Sequence, residues 1–286
     1  MIFHQPVLVK EVIDIFDIKK NNIYIDGTLG HGGHTIEILQ RGGIVYGIDG
    51  DPYYLDLATN RIKDLHLDKN FHPILGNFTQ ISHISDQPVS GVLLDLGLNN
   101  HQQLSPGRGF SFNDTTSLDM RLNPNSDEVT AEEIINTYDF QQLTSIFSKI
   151  AQETKALPIA RKIISSRQQS PIKSGKQLAD IITEVYQSYH LKTKIHPATK
   201  IFMALRITVN KEFDNLISFL NSTLSLSKGC IVCLISFHSG EDRIIKQFIR
   251  THSVVNLTPK PIHPQSLEIQ QNPLSRSATL RSYKIK

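Results

Sequence analysis

Short apolar runs alternate with helical patterns along the first hundred residues. Four runs predict strands: NNIYIDG (21–27), GGIVYGID (42–49), FHPILG (71–76) and SGVLLDLG (90–97). Apolar residues at helical spacing lie between them, in HTIEILQR (34–41) and PYYLDLATNRIKDL (52–65). Strands that alternate with helices in this way are typical of a parallel sheet covered by helices. The pattern therefore predicts an α/β fold.

The pattern changes after residue 100. Residues 101–127 are rich in Gly, Pro, Asn, Asp and Ser, and they are too many for an ordinary connection. Thr130 and Glu133 then have the spacing of a capping box, and helical patterns follow it. We expect an all-helical insert over 103–204 that interrupts one discontinuous domain, 1–102 with 205–286.

The last third of the chain predicts a return to the sheet. Residues 203–224 have the pattern of one long amphipathic helix, GCIVCLISF (229–237) that of a fifth strand, and SATLRSYKIK that of a final edge strand. Cys230 and Cys233 lie in the fifth strand, where positions i and i+3 point to opposite faces. With no second cysteine pair to complete a zinc site, core packing is favoured over redox or zinc chemistry.

Composition and charge narrow the class of protein. Hydrophobic residues make up 39% and charged residues 20%, as in ordinary globular proteins, and no apolar run of about 18 residues predicts a membrane span. The N-terminus lacks a signal-peptide pattern, so a cytoplasmic location is expected. Residues 1–102 carry 7 Lys/Arg against 12 Asp/Glu, whereas 237–286 carry 8 against 3. A polyanionic partner for the basic segments and random surface scatter are both open.

The segment DGTLGHGGH (26–34) lies between a predicted strand and a predicted helix. Glycines there let the backbone approach a ligand, and the helix N-terminus offers free N–H groups. A dinucleotide fingerprint needs a third glycine where Thr35 stands, which argues against a nicotinamide dehydrogenase.

Acidic residues end three of the predicted strands: Asp26, Asp49 and Asp95. Asp49 is placed to accept both hydroxyls of a ribose, and Asp95 faces the same crevice. Acids around a glycine turn suit S-adenosylmethionine (SAM), which has a ribose and a cationic sulfonium but no phosphate. A turn that is merely tight is the alternative.

Longer motifs run nearly end to end. They are His4 to Leu8 (HQPVL), Asp26 to His34, Gly47 to Pro52 (GIDGDP), Leu94 to Gly97 (LDLG), Arg108 to Phe112 (RGFSF), Leu118 to Arg121 (LDMR), His196 to Thr199 (HPAT), Ala204 to Ile207 (ALRI), Val209 with Asn210, Ser236 to Ser239 (SFHS), Glu241 to Arg243 (EDR), Asn272 with Pro273, and Arg276 with Ser277. In these motifs the chain resembles the ribosomal RNA small subunit methyltransferase H family, also called the MraW family.

The resemblance implies SAM-dependent methylation of the exocyclic N4 amine of a cytidine in the decoding region of 16S rRNA. It implies the assembled small ribosomal subunit as partner and SAM as cofactor. It also implies a class I, Rossmann-like methyltransferase sheet with a helical insert that binds RNA. The oligomeric state stays open, a homodimer included.

Family residues carry over by position. Those implied to contact SAM are Gly32, Gly33, His34, Asp49, Phe78, Asp95 and Gln102. Gly32 and Gly33 would admit the methionine part, Phe78 would pack on adenine, and Gln102 would bond near the methionine head. Without the resemblance, a core aromatic would be the better interpretation of Phe78.

A cytosine amine is a poor nucleophile, because its lone pair is delocalised into the ring. A group that accepts one of its N–H bonds would localise that pair. Asp95 or the amides of Asn99 and Asn100 are candidates, and Asp119 is a second candidate. The base must also be unstacked. Our candidates for stacking are Phe110 and Phe112, and for phosphate clamps Arg108 and Arg121; a self-packed loop is the alternative.

Departures from the family and competing interpretations remain. Asn99 and Asn100 replace the usual Ser-Ser, and Gly240 replaces a usual Leu. The polar cluster from His238 to Arg243 is expected to be partly structural, at a helix start. The histidines show no metal-ligand spacing, so no metal is expected. Methylation of another base or of a protein amine, and a ribosome-binding assembly factor without transfer activity, stay as alternatives.

Overall fold

The computed structural model describes residues 6–97 and 107–286, apart from the side chains at 80, 82 and 83. Within them, seven strands form one sheet: β1 (Ile23–Asp26), β2 (Ile44–Asp49), β3 (Phe71–Leu75), β4 (Val89–Asp95), β5 (Ile231–Ser236), β6 (Val254–Asn256) and β7 (Thr279–Ile285). The helices are α1 (Val9–Phe16), α2 (Gly33–Gln40), α3 (Pro52–Asp64), α4 (Ala131–Thr137), α5 (Phe140–Ser145), α6 (Ala156–Gln169), α7 (Gly175–Ser188), α8 (Thr199–Val209), α9 (Glu212–Thr223), α10 (Ser239–Thr251) and α11 (Ser266–Gln271).

The strand order is β3-β2-β1-β4-β5-β7-β6. Strands β1 to β5 are parallel, and β7 runs antiparallel between β5 and β6. The parallel α/β sheet predicted from the apolar runs is therefore confirmed.

The prediction that the tail forms an edge strand is wrong. The sequence analysis did not predict β6. This strand pairs with β7 on the side away from β5 and is the edge strand of the sheet. The tail alternates like an exposed edge because it contains Arg281 and Ser282, yet both are buried. An ion pair between Arg281 and Asp242 of α10 compensates the buried guanidinium.

Alternate residues of the central strands enter two separate apolar clusters. Leu93 and Cys233 pack with α1, α2 and α3, whereas Leu94 and Leu234 pack with α9 and α10. The sheet therefore carries helices on both faces, as its continuous apolar strands predict. Cys230 and Cys233 fall in different clusters, and both are free and buried, so the core interpretation is confirmed.

The predicted long helix over 203–224 is two helices. Helix α8 ends at Val209 and α9 begins at Glu212, with Lys211 in the left-handed region at φ 49°. The Asn210 amide accepts from Leu122 N–H and donates to the Met120 carbonyl. This tertiary bonding interrupts a pattern that is continuous in the sequence.

The chain forms two compact units, 1–97 with 213–286 and 98–212. The sequence placed these boundaries at 102 and 204. The second unit has its own apolar core, to which α4 to α8 contribute. Its first helix, α4, starts at the capping box of Thr130 and Glu133, as predicted. None of the helices in the described ranges is long and apolar enough to cross a membrane.

Candidate functional site

Three carboxyl groups meet at one edge of the sheet. Asp26, Asp49 and Asp95 end β1, β2 and β4, and β1 lies between the other two strands. Because these strands are parallel, their carboxyl ends lie at the same edge, where open α/β sheets bind ligands.

Asp26 serves the local backbone. It is 2% exposed, and its two oxygens accept from the Thr35 hydroxyl at 2.7 Å and the Thr28 N–H at 3.2 Å. Burial raises its pKa to about 6. Asp26 therefore holds the turn between β1 and α2 in place.

Asp49 is partly exposed as a residue, and two backbone donors hold its carboxylate. One oxygen accepts from Gly30 N–H and the other from Asp51 N–H, both at 2.9 Å. Burial raises its pKa to about 6. Each oxygen of an ionised carboxylate can accept a second bond, so the oriented pair suits two adjacent hydroxyls.

Asp95 is the residue with an unsatisfied oxygen. Its backbone N–H donates to the Thr28 hydroxyl at 2.6 Å, but its buried Oδ1 has no hydrogen-bond partner within 6–97 and 107–286. Burial raises its pKa to about 7, and the negative charges of Asp26 and Glu241 add to the rise. A buried acceptor without a partner is rare and indicates a site for a donor from outside the protein.

The glycine turn is shaped by its neighbours. Gly30 and Gly32 have positive φ, 51° and 73°, and a Cβ on Gly33 would lie 2.6 Å from Pro6. From α3, the Arg61 guanidinium donates to the His31 carbonyl at 2.8 Å. The glycines therefore permit close packing of the turn as well as approach of a ligand.

Two predicted cofactor residues have structural partners. His34 is 5% exposed, and its Nε2 bonds to the Val7 carbonyl at 2.9 Å, which ties the N-terminal segment to α2. The ring of Phe78 packs edge-on against Phe219 with centroids 5.8 Å apart, and Phe78 stays partly exposed. Their cofactor contacts remain predictions. Asn99, Asn100 and Gln102 lie outside the described residues.

His238 and Glu241 form the start of α10. Glu241 is 3% exposed and accepts from Phe237 N–H at 2.9 Å, while its own N–H donates to His238 Nδ1 at 3.4 Å. The predicted helix start is present, and both side chains serve it.

In the second unit, Arg108, Asp119 and Arg121 form one bonded group. Arg121 donates twice to the Asp119 carboxylate, at 2.8 Å each, and Arg108 donates to the carbonyls of Arg121 and Leu122. Burial alone would raise the pKa of Asp119, but the hydrogen bonds from Arg121 hold it below its usual value. Asp119 is thus an ionised partner of Arg121.

The RGFSF loop is organised by a residue that the sequence analysis missed. The Asp114 carboxylate accepts from the N–H groups of Gly107, Gly109, Thr116 and Ser117 and from the Thr116 hydroxyl. Although burial opposes it, these bonds lower the pKa of Asp114. The available signal was an Asp that follows two nearby glycines, Gly107 and Gly109, and precedes two hydroxyl residues, Thr116 and Ser117.

The two aromatic residues of that loop differ in their surroundings. Phe112 stacks on His196, with centroids 4.5 Å apart and planes 15° apart, and meets Phe202 edge-on. Phe110 is partly exposed and lies under the Arg108 guanidinium, 5.9 Å from the ring centroid. Both pack against the core of the second unit, which agrees with the alternative interpretation of a self-packed loop.

A model of the MraW methylase family matches residues 1–286. The chain belongs to the MraW methylase family. It is 39% identical to a ribosomal RNA small subunit methyltransferase H of Halothermothrix orenii over 98% of each chain. A ribosomal RNA small subunit methyltransferase H of Deinococcus radiodurans is 37% identical, over 97% of this chain and 88% of the relative. A solved structure, described as a putative rRNA methylase from Clostridium thermocellum, matches at a TM-score of 0.48 with 12% identity, covering 100% of this chain and 99% of the other.

This MraW methylase has the class I, Rossmann-like methyltransferase fold with an inserted helical unit, and SAM is its cofactor. The residues at the sheet edge suit that cofactor. Asp49 offers two oriented oxygens to a diol. The Asp95 Oδ1, which no donor among residues 6–97 and 107–286 reaches, suits an N–H donor.

Proposed function

We propose that this MraW methylase transfers the methyl group of SAM to the exocyclic N4 amine of a cytidine in the decoding region of 16S rRNA. Its substrate is the assembled small subunit, in the cytoplasm. Relatives that cover almost the whole chain at 36–39% identity are named small-subunit rRNA methyltransferases, which supports an rRNA substrate. The observation that supports methylation of an amine is the buried Oδ1 of Asp95, which has no hydrogen-bond partner in the part of the chain that the structure describes.

The chain contributes mainly by positioning. Bound SAM supplies an electrophilic methyl carbon. Asp49 accepts the ribose hydroxyls, and the glycine turn, held by Arg61, fixes the adjacent backbone. Holding reactants in line converts an encounter into an effectively unimolecular step, which lowers the barrier substantially.

Asp95 acts on the nucleophile. Its Oδ1 accepts a hydrogen bond from one N–H of the cytosine amine, which localises the nitrogen lone pair. As the nitrogen gains the methyl group and the methyl–sulfur bond breaks, the carboxylate takes the proton of that N–H. Thr28 holds the Asp95 backbone at the tip of β4 through the 2.6 Å bond from the Asp95 N–H. Asn99 and Asn100 remain proposed contributors. Asp119 is a weaker candidate, since its carboxylate is already paired with Arg121.

The helical unit binds the RNA. Its proposed contacts from the RGFSF loop are Phe110 and Arg108, because Phe110 is partly exposed and the Arg108 guanidinium lies over its ring. Phe112 and Arg121 are engaged within the unit and are proposed to keep the loop in shape for the RNA.

The test uses methyl-labelled SAM and small subunits that lack the modification. After incubation the RNA is digested and the labelled nucleoside identified. We expect N4-methylcytidine from the wild-type enzyme, and its formation at least about 100-fold slower in Asp95→Asn. Label in another base or in protein, or SAM binding without any labelled product, would refute the proposal and favour the alternatives named above.

A further inference from the structure

One stretch of the helical unit carries a strong excess of positive charge. Residues 154–211 contain 11 Lys/Arg and only 2 acidic residues, Asp180 and Glu184. Both acids are already paired, with Lys176 and Lys162. Lys200, Arg206 and Lys211 pair with Glu153, Glu212 and Glu128 just outside the stretch. The other cations of the stretch make no ion pair among the described residues, which favours a polyanionic ligand.

Two of these cations lie on one continuous exposed segment. Every residue from 187 to 196 is exposed, including Lys192 and Lys194, which make no ion pair among the described residues. Exposed apolar side chains alternate with them: Tyr189 at 50%, Leu191 at 40% and Ile195 at 56%. Lysines interleaved with apolar groups are unusual for a merely solvated loop and indicate a binding surface.

The start of α6 adds to this surface. The Lys155 ammonium lies 4.4 Å from the ring centroid of Tyr189, which follows the end of α7. One face of the tyrosine is thus fixed by a cation, while half of the side chain stays exposed. A ring held in this way loses little conformational freedom when a ligand stacks on it.

His196 ends the segment as an exposed, oriented ring. Phe112 supports one of its faces, and Ala198 N–H donates to its Nδ1 at 3.2 Å. Because Nδ1 accepts, the neutral ring carries its proton on Nε2 and offers it as a donor. The sequence analysis proposed Phe110 and Phe112 as stacking residues. In the structure Phe112 packs against one face of His196, and His196 is exposed.

We propose that the surface of Lys155, Tyr189, Lys192, Lys194 and His196, here the 189–196 surface, binds a single-stranded segment of rRNA. The inference rests on the proposed function and names a docking site for its substrate. Bases stack on the two rings, and the lysines and the His196 N–H contact phosphates. Rings among cations match a nucleic-acid strand, whereas an acidic peptide would leave the rings without partners.

The main test is a Lys192→Gln/Lys194→Gln variant of the full-length enzyme. Its matched control is Lys149→Gln/Lys173→Gln, two exposed lysines of the same unit. Binding of a labelled single-stranded RNA is measured by fluorescence anisotropy over a range of salt concentrations, and KM is measured with small subunits. Two lost phosphate contacts should weaken RNA binding about tenfold near 0.1 M salt and reduce the salt slope by about 1.4. The control should bind like wild type.

A second pair of variants separates stacking from charge. His196→Ala should weaken RNA binding about tenfold, whereas His196→Phe should retain most of the affinity because a ring still stacks. Thermal unfolding of both variants checks that the Phe112 contact is not needed for folding.

The outcomes separate this inference from the proposed function. Unchanged RNA affinity and KM in Lys192→Gln/Lys194→Gln overturn the docking surface, even if N4-methylcytidine forms. An equal loss of RNA affinity in both double variants overturns the docking surface too, since any exposed lysine of the unit would then attract RNA equally. Lost RNA affinity in a protein that methylates no cytidine supports the surface and overturns the function.

Discussion

At the scale of single residues, Asp95 stands apart from the other two carboxyl groups of the sheet edge. Asp26 and Asp49 each satisfy both oxygens with protein donors, whereas Asp95 keeps a buried oxygen without one among residues 6–97 and 107–286. An acceptor that stays unpaired lowers stability, so its presence indicates a use in binding or reaction.

We predict a pH dependence that follows from this carboxyl group. Since the pKa of Asp95 is raised to about 7 and the carboxylate is the accepting form, kcat/KM should fall about tenfold per pH unit below pH 7. Asp95→Asn should lose at least about 100-fold in kcat and lose this acidic limb. Asp49→Asn is the control, which should raise KM for SAM and keep the limb. A full acidic limb in Asp95→Asn would contradict the assignment.

The same group sets a stability trend. Its folded pKa lies above the ordinary value of 3.8, so the folded state binds the proton more tightly, and stability falls as pH rises through about 7. Asp95→Asn should therefore be more stable than wild type at about pH 8, by on the order of 2 kcal/mol, with a smaller difference near pH 5. Urea unfolding at both pH values measures it. A variant less stable than wild type at the higher pH would contradict the burial argument.

The sequence predicted the three carboxyl groups at the strand ends, because the end of each parallel strand can be located from its own apolar run. It did not predict Asp114 as the centre of the RGFSF loop, nor the stack of Phe112 on His196. The first depends on loop geometry, and the second joins residues far apart in the chain. Neither leaves a periodic signal.

At the scale of elements, α3 supports the glycine turn that precedes α2. Arg61 reaches from α3 to the His31 carbonyl, and the rings of His31 and Tyr54 stack with centroids 5.6 Å apart. The turn is thereby fixed before any ligand binds, which reduces the ordering cost of binding.

Arg61→Met should loosen that turn. Loss of a hydrogen bond from a charged donor is worth about 1.5 kcal/mol, so we expect KM for SAM to rise about tenfold with kcat nearly unchanged. Lys63→Met, at an exposed position of the same helix, is the control. Steady-state kinetics at saturating small subunits measure both. A drop in kcat alone would argue against a role in holding the turn.

A second element contact joins α10 to β7. Arg281, 7% exposed, donates to Asp242 from Nε at 2.5 Å and from Nη2 at 3.1 Å. This long-range pair is also why the polar residues of the tail suggested an edge strand: a buried cation resembles an exposed one until its partner is known. The short β6 had too few residues for its alternation to be recognised.

Breaking one partner of this pair should be worse than removing both. Asp242→Leu leaves a buried guanidinium unpaired and should lower the free energy of unfolding by about 3 kcal/mol. Asp242→Leu/Arg281→Met should recover most of that loss. Chemical denaturation of the two variants gives the comparison, and equal losses would show that the pair contributes little beyond packing.

At the scale of the whole molecule, the two units carry different charge. Residues 1–97 with 213–286 contain 16 Lys/Arg and 16 Asp/Glu, a net charge of 0, whereas 98–212 contain 14 and 11, a net charge of +3. The sequence analysis counted charge over other segments and did not predict this difference. Nor could it place Lys155 beside Tyr189, because that contact depends on how the start of α6 packs against the end of α7.

We therefore predict that salt affects the two substrates differently. Raising the salt from about 0.05 to about 0.2 M should increase KM for small subunits at least about tenfold, because several phosphate contacts are lost together. The Kd for SAM, measured by calorimetry under the same conditions, should change little, since its proposed ligands are a diol and an amine acceptor. A parallel rise in both constants would point to a general loss of structure.

The inner position of β7 has a consequence for how the enzyme is made. The strand lies between β5 and β6, yet it is translated after every other element of the sheet. Domains fold as their segments leave the ribosome, so the helical unit has its whole sequence early, while the cofactor sheet waits for residues 279–285. A nascent chain that stalls before them would contain the complete helical unit and an incomplete sheet. Methyl transfer is thus available only to chains that were translated through their last strand.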